Sequence, residues 1–313
     1  MKTKICVAAI QAEPDVASLD GSIEKARGWI RDAASQGANL VVFPETWLPG
    51  YPTWLDCCRD AGIWEHEPTK RVFARLAENS VVVPGTHTAM LGSFAKEFGV
   101  VLSIGINERV REGPGHGTLY NSNLLFESDG RLVHCHRKIM PTFTERMVWG
   151  MGDGRSLQAA DTSAGRAGAL ICWEHWMPLA RQVLHNSRED IHIATWPTVK
   201  EMNLVACRHY AFEGRCFVVA CGGIMRAKDL PPELEPMEGL SSQPDALVQT
   251  GGSAIFAPNG DILAGPIFGK EAILTAEIDL TAVTRESMTL DVTGHYGRPD
   301  LFDLCFKPNR AAQ

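Results

Sequence analysis

The sequence predicts an α/β fold from the way two kinds of pattern alternate along it. Short continuous apolar runs such as Leu40–Phe43 are the mark of strands buried on both faces. Between them lie segments in which apolar residues recur at helical spacing, as Ile23, Ala26, Ile30 and Ala33 do. A third observation points to chemistry: the apolar run from Ala167 to Ile171 stops at Cys172, and a helical pattern opens soon afterwards at Pro178. Proline suits a first helical position, so the free N–H groups of that first turn are expected to point back at the thiol and lower its pKa. A free cysteine is equally at home in a core. This stretch alone does not choose between the two.

Taken in order, residues 4–10 form the first strand, and a helix across Ile23–Ala34 stops at Gly37, a C-terminal cap. Leu40–Phe43 runs directly into Pro44 and Glu45. A carboxylate at the end of a doubly buried strand needs partners, because an unpaired charge there is costly. Trp47, Pro49, Gly50, Tyr51, Pro52 and Trp54 then form a rigid apolar loop, suited to a pocket wall or to a hydrophobic plug beneath the loop. Helices are predicted at 69–79 and 86–98, with Gly99 as a stop, and a buried strand at 100–107. Ser122–Glu127 and Leu132–His136 flank Asp129-Gly130, a hairpin signal, and the second arm ends in Arg137 and Lys138. His134 and His136 share one face of that arm. With no carboxylate or third histidine at ligand spacing, a structural role is favoured over a metal.

The loop at 139–154 carries Gly150, Gly152 and Gly154, but no G-x-G-x-x-G opens a helix after a strand, and G-x-S-x-G is absent. A dinucleotide site and a serine elbow therefore have no support. Beyond Cys172 come a helix to about 187, a strand at 191–195 ending in Trp196-Pro197, a helix at 202–212 and a strand at 217–221. Residues 226–249, with Pro231, Pro232, Pro236 and Pro244 among acids, are expected to be an exposed, mobile excursion. Strands at 254–257 and 272–278 complete a single domain of residues 1–290, and 291–313 is expected to be an extended C-terminal arm. Trp29 and Trp176 fall in helical patterns and are assigned to core or interface packing.

The 313-residue chain is 45% hydrophobic and 21% charged, ordinary globular composition with room for a sizeable core. A net charge of −7 without a long Lys/Arg run argues against nucleic acid and anionic membranes as partners. No stretch approaches the ~20 apolar residues of a membrane span. The apolar run near the N-terminus is too short for a signal-peptide core. Nine scattered cysteines without paired C-x-x-C spacing fit a reducing, cytoplasmic setting and do not suit structural zinc.

Glu45, Lys138 and Cys172 each stand at or just past the C-terminal end of an apolar run, the edge where α/β proteins build sites. An acid, an amine and a thiol there supply a base, an electrostatic stabiliser and a nucleophile. FPET around Glu45, HRKIMPTFTER around Lys138 and ICWEHWMPLAR around Cys172 resemble the three signatures of the nitrilase superfamily, the carbon–nitrogen hydrolases. The similarity runs from Lys4 to the TGHYGRPDLF segment ending at Phe302. Cys172-Trp173-Glu174, TFTERMVWGMGDG and DVTGHYGRPDLF place it nearest the nitrilase branch.

The resemblance implies a four-layer α-β-β-α sandwich that works without cofactor or metal. It implies hydrolysis of a small-molecule nitrile to carboxylic acid and ammonia through a covalent cysteine thioimidate and thioester. Cys172 is then the nucleophile, Glu45 the general base and later acid, and Lys138 the stabiliser of developing negative charge. Glu145 is implied as a fourth site residue that orients Lys138 or water. Tyr51, Trp54, Thr142, Trp149, Trp173, Trp196 and Pro197 lie beside the motif residues. They are expected to line an aromatic pocket for aromatic or arylaliphatic nitriles. The resemblance further implies a homodimer through the helices after Cys172 and at 202–214, with higher spirals known among relatives. An amidase or carbamoylase using the same residues, a cyanide hydratase or dihydratase, and a noncatalytic binding homologue are the competing readings. Retention of four site groups argues against the last.

Overall fold

Val7 and Ala9 of the first strand face one way and Ala8 and Ile10 the other, yet all four are fully buried. The reason is that each central strand has helices on one side and a second sheet on the other. The computed structural model describes residues 3–16 and 18–308. In chain order its strands are β1 (Lys4–Gln11), β2 (Leu40–Val42), β3 (Val101–Arg109), β4 (Leu119–Phe126), β5 (Leu132–Arg137), β6 (Ala160–Thr162), β7 (Gly165–Ile171), β8 (Ile191–Trp196), β9 (Phe217–Gly222), β10 (Ile224–Arg226), β11 (Leu247–Phe256), β12 (Ile262–Phe268) and β13 (Ala272–Asp279). Its helices are α1 (Leu19–Ser35), α2 (Trp54–Cys57), α3 (Glu67–Glu78), α4 (Thr86–Phe98), α5 (Pro178–Asn186), α6 (Glu201–Gly214) and α7 (Thr281–Ser287).

One sheet has the order β13-β1-β2-β3-β4-β5, and the other β10-β11-β9-β8-β7-β6 with β12 paired to β11. Each has a parallel centre, β1-β2-β3 and β7-β8-β9, flanked by antiparallel strands. On the first sheet, Ile23 and Ile30 of α1 and Leu91 and Phe94 of α4 pack against Ile10, Val41, Phe43 and Ile104. On the second, Ala180 and Leu184 of α5 and Cys207 and Tyr210 of α6 cover Leu170, Ala194, Val218 and Ala220. Between the sheets, Val7, Ala9, Leu40 and Val42 meet Ala169, Ile191, Ile193 and Val219. This is the four-layer α-β-β-α sandwich.

Several local expectations need correction. Residues 226–249 lie mostly at the surface, as expected, but carry apolar anchors: Leu230 and Leu234 are buried with Trp54, Leu55 and Leu76. Arg75 pairs with Glu233, and the Arg59 N–H donates to the Glu235 carbonyl at 3.0 Å. The prolines there shape turns that carry apolar anchors. The C-terminal arm is folded into turns around Asp291, whose carbonyl accepts from the N–H groups of Gly294 and Tyr296. Residues 309–313 of that arm lie outside the described residues. Strand β12 and helix α7 were not anticipated; β12 contains Gly265 and Pro266, and none of its residues is fully buried, so it carries little periodic signal. Among the described residues no helix is long and apolar enough to cross a membrane.

Candidate active site

Three strand ends deliver the ionisable residues singled out above. Glu45 follows β2 by way of Phe43 and Pro44, Lys138 follows β5 directly, and Cys172 follows β7 directly. The first two belong to one sheet and the third to the other. The turn carrying Glu45 lies flat against β3 at Gly105, where a Cβ would stand 2.2 Å from the Pro44 carbonyl oxygen and 2.4 Å from the Thr46 nitrogen. Only glycine allows that approach. Thr46 (φ 42°) and Cys172 (φ 55°) are left-handed, a conformation that costs a non-glycine residue energy and persists only where the surroundings enforce it.

At Cys172 the enforcement is visible. The Glu174 carboxylate accepts from the Ile171 N–H at 2.6 Å and from the Ile139 N–H at 2.7 Å, and His136 Nε2 lies 2.8 Å from it. One buried acid thus ties the end of β7 to the end of β5. The other His136 nitrogen meets Ser156 Oγ at 2.8 Å, and His134 reaches the Ser156 carbonyl at 2.8 Å. Both imidazoles are engaged within the protein framework.

Helix α5 begins at Pro178 as the sequence predicts, but Cys172–Trp176 form a 3-10 turn ahead of it, and the backbone N–H of Trp173, not the expected run of helix amides, acts on the sulfur. Nor is the thiol pKa lowered. Burial and the nearby Glu45 carboxylate push it well above its ordinary value, against the pull of Lys138 and the Trp173 amide.

Lys138, 1% exposed, lies between two acids that are each 2% exposed. Its ammonium donates to Glu45 Oε1 at 2.8 Å and to Glu145 Oε1 and Oε2 at 3.0 and 2.8 Å. Glu45 Oε1 also accepts from Asn121 Nδ2 at 2.6 Å, while Glu45 Oε2 is buried without a hydrogen-bond partner among the described residues. Glu145 accepts in addition from the Tyr51 hydroxyl at 2.8 Å and the Thr142 N–H at 2.6 Å. The Cys172 sulfur and one oxygen of each acid all lie within 4.8 Å of one another. Three such donors could in principle hold a metal ion, but the Lys138 ammonium already supplies a positive charge between the carboxylates.

Burial drives Glu45 up to about 7, with Glu145 adding to the rise and Lys138 opposing it. For Lys138 burial acts downward but is outweighed by Glu45, Cys172 and Glu145, which hold the amine firmly cationic.

Cys172 and Glu145 open onto a cavity of about 940 Å³. Of the predicted wall residues, Tyr51, Thr142, Trp173, Trp196 and Pro197 line it. Trp54 and Trp149 do not. Trp54 sits in the separate core with Leu55, Leu76 and Leu230, and Trp149 is buried with Nε1 donating to Asn107 Oδ1 at 2.8 Å. The Trp149 ring stands edge-on to Tyr51 at 5.6 Å, backing the wall without forming it. Chain proximity to Tyr51 and Glu145 suggested both residues, but the local backbone turns their rings inward. Glu45 and Lys138 are likewise absent from the cavity lining.

Asn121, Thr53 and Gln249 were not anticipated. Gln249 of β11 and Thr53 line the cavity, and Gln249 Nε2 donates to Thr53 Oγ1 at 3.0 Å. Asn121 had a usable signal, because Asn121, Ser122 and Asn123 are three successive polar residues, all buried, within an otherwise apolar strand. Gln249 had none.

A family model described as carbon-nitrogen hydrolase matches residues 6–285, and the chain belongs to that family. Within it, the chain is 39% identical over 302 residues to an aliphatic nitrilase of Sinorhizobium fredii, covering 96% of this chain and 95% of that protein. It is 37% identical to a bifunctional nitrilase/nitrile hydratase of Nicotiana tabacum (94% and 84% covered) and 36% identical to a nitrilase of Paraburkholderia phymatum (98% and 88%). Among solved structures, a carbon-nitrogen hydrolase from Helicobacter pylori superposes with TM-score 0.69 at 22% identity, covering 92% of this chain and 93% of that one. A Saccharomyces cerevisiae protein, described as a member of branch 10 of the nitrilase superfamily, gives TM-score 0.69 at 20% identity (95% and 99% covered). These two likenesses show the shared fold.

Proposed function

We propose that the protein is a nitrilase that converts organic nitriles to carboxylic acid and ammonia through a covalent intermediate on Cys172. The observation that carries this reading is the unpartnered Glu45 Oε2, buried in a cluster whose thiol and two acids lie within 4.8 Å, beside an ammonium. A buried oxygen without a hydrogen bond is costly to maintain, and a base awaiting a proton has use for it. Glu45 takes the Cys172 proton as sulfur adds to the nitrile carbon and passes it to the nitrile nitrogen, giving a thioimidate and leaving Glu45 ionised again. Water activated by Glu45 adds next, ammonia leaves, and a second water releases the acid from the thioester. Lys138 and the Trp173 N–H stabilise negative charge as it develops on the substrate nitrogen or oxygen. Glu145 fixes Lys138 through two bonds and borders the cavity where water enters.

The aromatic side chains of Tyr51, Trp173 and Trp196 in the wall support aromatic or arylaliphatic substrates. An aliphatic nitrile is the second reading, favoured by the withdrawal of Trp54 and Trp149 from the wall and by the aliphatic nitrilase among the relatives. The exposed apolar side chains of Trp176 and Leu179 beside and on α5, and of Val205 and Phe212 on α6, support a homodimer through these helices.

The test is a panel of aryl, arylaliphatic and alkyl nitriles, run beside the matching amides and cyanide with product identification. Acid and ammonia from nitriles, faster than from amides, are expected. Faster turnover of the amides, or formamide from cyanide as the main product, overturns the assignment.

A further inference from the structure

A second buried cluster meets Cys172 at its backbone, and the reaction above does not use it. His175 Nδ1 lies 2.7 Å from the Cys172 carbonyl oxygen, His175 Nε2 lies 3.0 Å from His192 Nε2, and His192 Nδ1 lies 2.7 Å from Glu189 Oε1. The two imidazoles are 1% and 0% exposed, so a misdirected nitrogen has no bulk solvent to turn to.

The direction of the hydrogens follows from the chain's end. A carbonyl oxygen only accepts, so His175 Nδ1 carries hydrogen. Burial pushes the His175 pKa down to about 3 and that of His192 well below its ordinary value, so each ring holds a single proton. His175 Nε2 is therefore an acceptor and His192 Nε2 the donor to it. That leaves His192 Nδ1 bare, and the hydrogen in its contact with Glu189 must come from the carboxyl group. Burial raises Glu189 to about 7, consistent with a protonated acid. The second Glu189 oxygen accepts from the Tyr210 hydroxyl. The strand that ends in Cys172 makes room for this acid, because a Cβ on Gly168 of β7 would stand 2.2 Å from Glu189 Oε1.

We propose that Glu189, His192 and His175 form a one-directional hydrogen-bond relay that holds the left-handed Cys172 turn in its reactive geometry. Glu189 acts as the hydrogen donor that sets the direction. These are positioning residues: they touch the backbone of the nucleophile and not the reacting atoms. The inference rests on the reading of Cys172 as nucleophile. Without a hydrogen delivered to His192 Nδ1, one ring nitrogen of the sealed chain has no partner, and the carbonyl of Cys172 loses its fixed donor.

Glutamine at 189 keeps the pattern, with its N–H₂ donating to His192 and its oxygen accepting from Tyr210, whereas leucine removes the donor at similar size. Asparagine at 175 likewise places an N–H near the Nδ1 position, and leucine does not. The experiment measures kcat and KM for Glu189→Gln, Glu189→Leu, His175→Asn and His175→Leu on the folded full chain, with Cys172→Ala as control. The Gln and Asn variants are expected to retain most of the parent kcat. The Leu variants are expected to lose about tenfold or more in kcat with KM little changed, as a misplaced nucleophile requires. Equal kcat for the two variants at position 189 overturns the relay. If Glu189→Leu does not fold, equal kcat for the two variants at 175 does so. Turnover persisting in Cys172→Ala sinks the nucleophile assignment instead, which keeps the two failures apart.

Discussion

Cys172 is gripped by two buried ionisable clusters, one at its sulfur and one at its carbonyl, and they differ in how completely their polar atoms are used. On the sulfur side Glu45 Oε2 and Asn121 Oδ1 have no hydrogen-bond partner among the described residues. On the carbonyl side His175, His192, Glu189 and Tyr210 have every side-chain nitrogen and oxygen engaged. A satisfied buried network rigidifies, and an unsatisfied atom stores a cost that a bound reactant can relieve. The contrast separates a side built to react from a side built to hold.

The largest effect that can break this contrast comes from the sulfur itself. Cys172→Ala is expected to abolish turnover and any covalent adduct seen by mass spectrometry of the intact protein; retained hydrolysis would refute the assignment. Glu45→Gln removes the free acceptor at nearly constant shape. It is expected to lower kcat by about 10²–10⁴-fold while the circular dichroism spectrum is kept. Lys138→Met leaves two buried acids without their counter-charge. A stability loss of about 3–5 kcal/mol in urea titration is expected alongside the loss of activity.

A smaller effect sharpens the electrostatics. As the proposed base, Glu45 works only when ionised, so kcat/KM is expected to rise with pH through about 7. Because the Glu145 charge is one cause of that raised value, Glu145→Gln should move the rising limb to lower pH, and a limb that stays put or moves upward contradicts the coupling. The linked stability has the opposite trend. The folded value lies above the ordinary 4.5, so the contribution of this group is full below 4.5 and is lost as pH rises through about 7. Smallest is Trp149→Phe, which gives up the bond to Asn107 for about 1–3 kcal/mol and leaves KM unmoved, since the ring does not form the wall.

The sulfur side was legible in the sequence and the carbonyl side was not, for a physical reason. Glu45 and Cys172 each close a run of residues buried on both faces, where a polar or ionisable group stands out against its neighbours, whereas Lys138 closes the alternating, half-exposed arm β5 and was marked by its place in the HRKIMPTFTER motif. The runs themselves are continuous because the sandwich buries both faces of β1, β2 and β3, which is also why helix and strand order came through. His175, Glu189 and His192 are spread over a turn, a loop and a strand, with no spacing that brings them together before the second sheet forms. Trp54 and Trp149 were misplaced because adjacency along the chain does not reveal which way a ring points. The excursion at 226–249 looked unanchored because Leu230 and Leu234, which tie it down, have no periodic company.

Glu45 and Lys138 ride on one sheet and Cys172 on the other, joined through the inner core and the Glu174 carboxylate. Under the proposed mechanism catalytic competence is therefore a property of the seam, which neither half of the sandwich can display while apart. During refolding, turnover is expected to be the last signal to return, after helicity and compaction.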